Sequence, residues 1–374
     1  MTRMKGNVAQ QISRVSRSNG SQAVRNDVAL VPSDEIRIHP VNTDNQQEFE
    51  HVFQLVSASG GAGLGNAVYD LEYLRKQMHD LESDERLVSL CAMIGEDCIA
   101  HVALHFSGRS SQPELILPVL DRSHAEFAQS ISDALRSKIE RIAERQEWSA
   151  VLQFISTRAS TLEIFPANSF DAVDLAIIPE PELGAQRNGR KHSIMNAILL
   201  RAFVCGTLTE SPRFIHPPKH HMAKVGELFS KLSQNRVVVD TSTRKSNGNA
   251  QNVTKAKKTA ETVSRRFGGI TQISVNPEGA ECQSLVAMLE ERAAQAQVEF
   301  EPLIVRVSLA SELCANACTL LENRGFRFCG VMPGSETNDW ILYSKFDPSA
   351  LNGMQFATPQ SKSLLQYMQS YRTE

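Results

Sequence analysis

The stretch from residue 113 to residue 170 restricts the fold more than any other. It opens with the apolar run Pro113-Glu114-Leu115-Ile116-Leu117-Pro118-Val119-Leu120 and the turn Asp121-Arg122-Ser123-His124. Phe127, Ile131, Leu135, Ile139 and Ile142 then recur at helical spacing. A second apolar run, Ala150-Val151-Leu152-Gln153-Phe154-Ile155, follows, and then a short helical segment over residues 160–170. Strand, helix and strand in this order make a βαβ unit. Two parallel strands cannot be joined by a tight turn, so the helix must cross over the sheet. The first turn aims a helix N-terminus beyond the strand ends, where free N–H groups and the helix dipole favour an anion.

The rest of the chain reads as layers around this unit. Residues 36–38 start a strand, and Thr43 caps a helix with Phe49, Val52, Phe53, Leu55 and Val56 on one stripe. Gly60 to Gly65 form a glycine-rich loop, read as a substrate-side loop because it follows no strand and lacks the Lys-Ser/Thr end of a phosphate loop. A second helix carries Leu71, Leu74, Met78 and Leu81. Residues 86–94 and 98–106 form a hairpin about Gly95-Glu96-Asp97. Residues 174–178 form a further strand. A connector over 184–191 leads to a strand over 193–204 that is expected to open a second half. That half repeats the order of elements: a helix after Pro217-Pro218, strands at 237–239 and 270–275, a helix over 280–297, a strand at 303–307, a helix over 312–324, and strands at 326–331 and 340–343. Beyond residue 347 only a short helix at 364–368 is expected.

A length of 374 residues suits two domains, and 41% hydrophobic with 22% charged residues suits a globular protein. The formal net charge of -3 gives no general attraction to nucleic acid or membrane. The basic stretch between residues 241 and 266 has no aromatic residue before Phe267, so it is read as a solvated loop and not a nucleic-acid groove. No apolar run reaches the ~20 residues that cross a bilayer. Seven cysteines without metal or paired spacing read as reduced thiols of a cytoplasmic protein. The first 26 residues carry Arg3, Lys5, Arg14, Arg17 and Arg25 and no acid, a composition shared by transit peptides and basic tails. With no long apolar face there, a disordered tail is the reading taken.

The order of elements resembles the GCN5-related N-acetyltransferase (GNAT) superfamily in two copies. Four stretches carry the resemblance: Tyr69-Asp70-Leu71-Glu72-Tyr73-Leu74; Ile99-Ala100-His101-Val102-Ala103-Leu104; Glu114 with Val119-Leu120-Asp121-Arg122; and Leu321 to Gly334 with Asp339-Trp340-Ile341-Leu342-Tyr343. It implies an α/β fold with a mixed sheet and two tandem lobes. The expected divisions are a tail over 1–34, a first lobe over 35–183, a degenerate second lobe over 192–347 and a C-terminal tail over 348–374.

The resemblance further implies acyl transfer from acetyl-coenzyme A, or another acyl-coenzyme A, to an amine on a small molecule, amino acid or peptide. Cofactor contacts are implied at Val119, Leu120, Arg122, Ser123, His124 and Ala125, with the N–H groups of Ser123 to Ala125 around the pyrophosphate. Ala125 and Phe127 stand where the family's turn has glycine, and the corresponding turn of the second copy, Pro277-Glu278-Gly279-Ala280-Glu281, departs further. Glu114 is the candidate base, and His101, alternating with apolar neighbours, is a second candidate for the cleft. The family's thiolate-protonating tyrosine has no counterpart; Phe165 and Phe170 stand near its place. These departures support an alternative, a GNAT-like accessory protein without catalysis that partners a biosynthetic or peptide-tailoring enzyme. His216, His220 and His221 are expected to hold no metal, because adjacent histidines point to different helix faces and no Cys or carboxylate has partner spacing.

Overall fold

A computed structural model describes residues 36–58, 71–106, 112–156, 172–180, 197–205, 212–240, 260–264, 271–277, 303–334 and 338–371, apart from positions 43, 85, 233 and 353, and also residues 289 and 291. The glycine-rich loop, the segment 160–170, most of the basic stretch and most of the helix expected over 280–297 lie outside the described residues.

The strands are β1 (Ile36–Pro40), β2 (Leu87–Ile94), β3 (Asp97–His105), β4 (Glu114–Leu120), β5 (Ala150–Ser156), β6 (Ala172–Pro179), β7 (Ala197–Val204), β8 (Arg213–Ile215), β9 (Arg236–Val238), β10 (Ala260–Ser264), β11 (Thr271–Val275), β12 (Leu303–Ser308), β13 (Phe326–Met332) and β14 (Trp340–Lys345). The helices are α1 (Gln46–Ala58), α2 (Leu71–Ser83), α3 (Ala128–Arg145), α4 (Met222–Lys231), α5 (Cys314–Glu322) and α6 (Pro359–Ser370). None is long and apolar enough to cross a membrane.

Among the described residues, twelve strands form one mixed sheet in the order β1-β2-β3-β4-β5-β7-β6-β13-β14-β12-β11-β10, and β8 and β9 pair separately. The mixed α/β fold expected from the sequence is therefore found. The sheet also explains the topological repeat. Outward from the central β6–β13 pair, the first half runs β6, β7, β5, β4, β3 and the second runs β13, β14, β12, β11, β10. In each half the first two pairings are antiparallel, the third is parallel and the fourth is antiparallel. The chain visits the five strands of each half in the same sequence order.

Two expectations are corrected. The strand expected to open the second half is β7, which inserts between β5 and β6 and so completes the first half. The division expected between residues 183 and 192 falls between these two paired strands. The C-terminal segment carries a 12-residue helix, α6, whose start is a side-chain cap from Thr358 followed by Pro359 in the first turn.

The two halves meet at Gly330 of β13, paired with Ala176 of β6. Gly330 has φ +144°, and a Cβ there would lie 2.0 Å from the Leu175 carbonyl oxygen and 2.6 Å from Ala176 Cα. Only glycine permits that approach. Helix α6 lies on the same join: Thr358 and Ser361 both donate to the Asp174 carboxylate, which also takes a 2.9 Å hydrogen bond from Arg201 Nε. Asp174 and Arg201 are buried, so the pair holds together only because each charge has partners.

Candidate active site at the end of β4

Strand β4 is irregular in a way that its residues explain. On β3, His101 faces Val119 and Ala103 faces Ile116, so Leu117 and Pro118 together oppose Val102. This is a β-bulge, and Pro118 fits it because proline has no N–H for the ladder. The extra residue switches the side-chain alternation. Leu115 and Leu120, five positions apart, both join the core under α3, whereas Ile116 and Val119, three apart, both pack with the α1 residues Phe49 and Val52.

The bulge also marks where β4 leaves β5. The two strands pair in parallel only at Glu114↔Leu152 and Leu115↔Gln153. Beyond that they part, although both continue as strands to Leu120 and Ser156. The corresponding parallel pair of the second half, β11 and β12, stays in register over all five residues from Thr271↔Leu303 to Val275↔Val307. The parallel strands of the first half therefore part after two paired positions, whereas those of the second stay paired along the whole of β11.

At the far end of β4, a cleft of about 580 Å³ is lined by His51, Gln54, Leu55 and Ala58 of α1, Asp97 and Cys98 of β3, and Leu120, Asp121, Arg122 and His124. Of the expected cofactor contacts, Leu120, Arg122 and His124 line this cleft, and Arg122 is exposed to it. Val119 points to the α1 core. Phe127 does not plug the opening, since it packs against the core under α3.

The backbone cradle differs from the expectation. Residues 122–127 form a 3-10 turn capped by Asp121, whose Oδ1 accepts from Ser123 N at 2.9 Å and from Ser123 Oγ at 2.8 Å. The His124 N–H donates to the Asp121 carbonyl oxygen at 3.0 Å. Two of the N–H groups expected to face a pyrophosphate are thus already used, one of them by a carboxylate. The Ser123 N–H and hydroxyl hold the Asp121 carboxyl below its ordinary value, so it is negative at neutral pH. The Asp-x-Ser pattern of a helix start was readable in the sequence.

His101 is fully buried, and its Nε2 lies 2.8 Å from Ser89 Oγ. It is buried in the core and does not line this cleft. Glu114 is buried at the point where β4 and β5 separate, and alternation puts it on the α1 face with Ile116. Cys98 in the cleft has its Sγ 3.1 Å from Cys91 Sγ. That contact and burial push the Cys91 thiol up, so it is a neutral thiol and no nucleophile.

The expectation of no carboxylate near the histidines of the second half is also corrected. Glu322 Oε1, at the end of α5, is 3.1 Å from His220 Nε2 and 3.2 Å from His221 Nε2. The separation of 101 positions between His221 and Glu322 hid this from any reading of local spacing.

No family model and no curated relative matches the chain. Several solved structures are similar to it. An N-acetyltransferase from Staphylococcus aureus Mu50 is 15% identical with a TM-score of 0.32, covering 45% of this chain and 97% of its own. The aminoglycoside 6'-N-acetyltransferase from Enterococcus faecium is 12% identical with a TM-score of 0.34, covering 46% and 99%. The PaiA N-acetyltransferase from Thermoplasma acidophilum, in complex with coenzyme A, is 14% identical with a TM-score of 0.31, covering 44% and 97%. All three are N-acetyltransferases.

Proposed function

We propose that the chain is an acyl-coenzyme A-dependent N-acyltransferase whose working half is the first. The observation that carries this reading is the parting of β4 from β5 at a bulge, set against the closed pairing of β11 with β12. A thioester laid between parted strands meets backbone groups that a closed ladder would have consumed.

In this reading the amine attacks the thioester carbonyl carbon, the C–S bond breaks and the thiolate leaves with the electron pair. The ammonium proton goes to Glu114, the carboxylate at the vertex of the opening. Arg122 and His124 take the phosphates in the cleft at the end of β4. Ser123 contributes less than the sequence implied, because Asp121 has captured its N–H. The acceptor is an amine-bearing small molecule, amino acid or peptide. We further propose that the two halves descend from a tandem arrangement of one acetyltransferase-like unit, on the basis of the shared strand order.

One observation favours a second reading. A carboxylate at the mouth of the turn repels a polyphosphate, which suits an accessory protein that has lost its cofactor and partners another enzyme. Thermal denaturation with acetyl-coenzyme A separates the two. A ligand at about 100 times its dissociation constant stabilises the native state by ~2.7 kcal/mol, a shift of several degrees. The enzyme reading expects that shift and its loss in Arg122→Ala. No shift at millimolar cofactor leaves the accessory reading.

A further inference from the structure

We propose that His220, His221 and Glu322 form a binding site for a divalent transition-metal ion, zinc by preference, that ties the start of α4 to the end of α5. The three donor atoms lie within 4.8 Å of one another. A tetrahedral ion with bonds of about 2.0–2.2 Å spaces its ligands about 3.3–3.5 Å apart. The contacts of 3.1 and 3.2 Å from Glu322 Oε1 to the two Nε2 atoms are close to that edge length.

One feature of the hydrogen bonding calls for a cation, the tautomer of His221. The His220 carbonyl oxygen can only accept, so the Tyr367 hydroxyl gives it its single proton at 3.1 Å. The Tyr367 oxygen then accepts from His221 Nδ1, 2.6 Å away. With its proton on Nδ1, neutral His221 turns the Nε2 lone pair toward a carboxylate oxygen. An ion between them accepts both lone pairs. The Nδ1–H bond to Tyr367 is the outer support that a metal-bound histidine ordinarily has.

The surroundings fit a fixed site. His221 is fully buried, with its ring 4.4 Å from Phe328. His220 is 39% exposed and stacks on Tyr371, which leaves an approach for the ion and a position for water as fourth ligand. Tyr371 donates to Glu322 Oε2 at 3.2 Å. Imidazole and carboxylate donors in a compact set select zinc or its first-row neighbours over magnesium or calcium.

The test uses the full chain without a histidine tag, stripped with chelator and dialysed against Zn²⁺ before elemental analysis. The expected result is about one equivalent per chain, with affinity reduced at least tenfold in Glu322→Gln and in His220→Asn. His220→Asn changes a partly exposed side chain, so it reports on binding if Glu322→Gln unfolds. Co²⁺ loading gives a second readout: strong visible d–d bands without a thiolate charge-transfer band assign four nitrogen and oxygen ligands. Well under one equivalent of zinc in the parent chain, or zinc retained unchanged in His220→Asn, overturns the site in favour of a metal-free ion pair.

Discussion

Gly330→Ala tests the join on which the continuous sheet depends. At φ +144° an alanine is strained, which costs on the order of 1–3 kcal/mol. Its Cβ would also stand 2.0 Å from the Leu175 carbonyl oxygen and 2.7 Å from Ala176 Cβ. These belong to a buried strand and cannot swing aside as a flexible side chain would, so overpacking adds roughly 1–3 kcal/mol. The sum, about 2–6 kcal/mol, is a large part of the ~5–15 kcal/mol that holds a native protein together. Gly226→Ala is the control. Gly226 lies inside α4, and a Cβ there meets only Val238 Cγ2 at an ordinary 3.4 Å. Replacing a helical glycine with alanine gains about 0.5–1 kcal/mol. Urea unfolding followed by circular dichroism should move the midpoint down for Gly330→Ala and slightly up for Gly226→Ala. A Gly330→Ala midpoint equal to that of the parent would refute the close approach of β13 to β6.

Three other outcomes are expected. Asp174→Ala leaves Arg201 buried without its partner and frees the cap of α6, so stability should fall by roughly 3–5 kcal/mol in the same unfolding assay. Burial alone would raise the Glu322 carboxyl, but in chelated protein, where a proton takes the place of the ion on His221 Nε2, hydrogen bonds from His221, Tyr343 and His220 outweigh it and bring it down to about 2 from 4.5. The folded value is the lower one, so this stabilisation is complete above pH 4.5 and is lost as pH falls toward 2, a swing of roughly 3 kcal/mol that Glu322→Gln should remove from the acid-unfolding curve of chelated protein. Asp121→Asn keeps a capping oxygen and removes a charge from the cleft mouth, so acetyl-coenzyme A should bind about fivefold more tightly by calorimetry, on the order of 1 kcal/mol, whereas Arg122→Ala weakens it.

Local pattern made most elements legible. The hairpin of β2 and β3, the strand–helix–strand from β4 to β5 and the pair β13–β14 all follow from apolar periodicity and turn residues. Leu120, Arg122 and His124 could be placed together from the sequence because a parallel crossover puts them at one end of β4, with Glu114 at the other. What stayed hidden depended on distance along the chain. Nothing near residues 197–204 says that this strand inserts between β5 and β6 instead of beginning a new half. Nothing near His220 announces Glu322. His101 looked like a cleft residue because alternation gives a face and not a depth; it is fully buried, against Ser89. The Asp121 cap and the Thr358-Pro359 start of α6 were different, since both follow ordinary helix-start chemistry that the residues display.

The account turns on a nucleotide thioester lying where β4 leaves β5. Amide hydrogen exchange of the full chain, with and without saturating acetyl-coenzyme A, reads that position directly. Slowed exchange across residues 117–128, with residues 271–275 and 303–308 unchanged, is the result the parted strands predict. Exchange unaltered around β4, or slowed only in the closed β11–β12 pair, contradicts it.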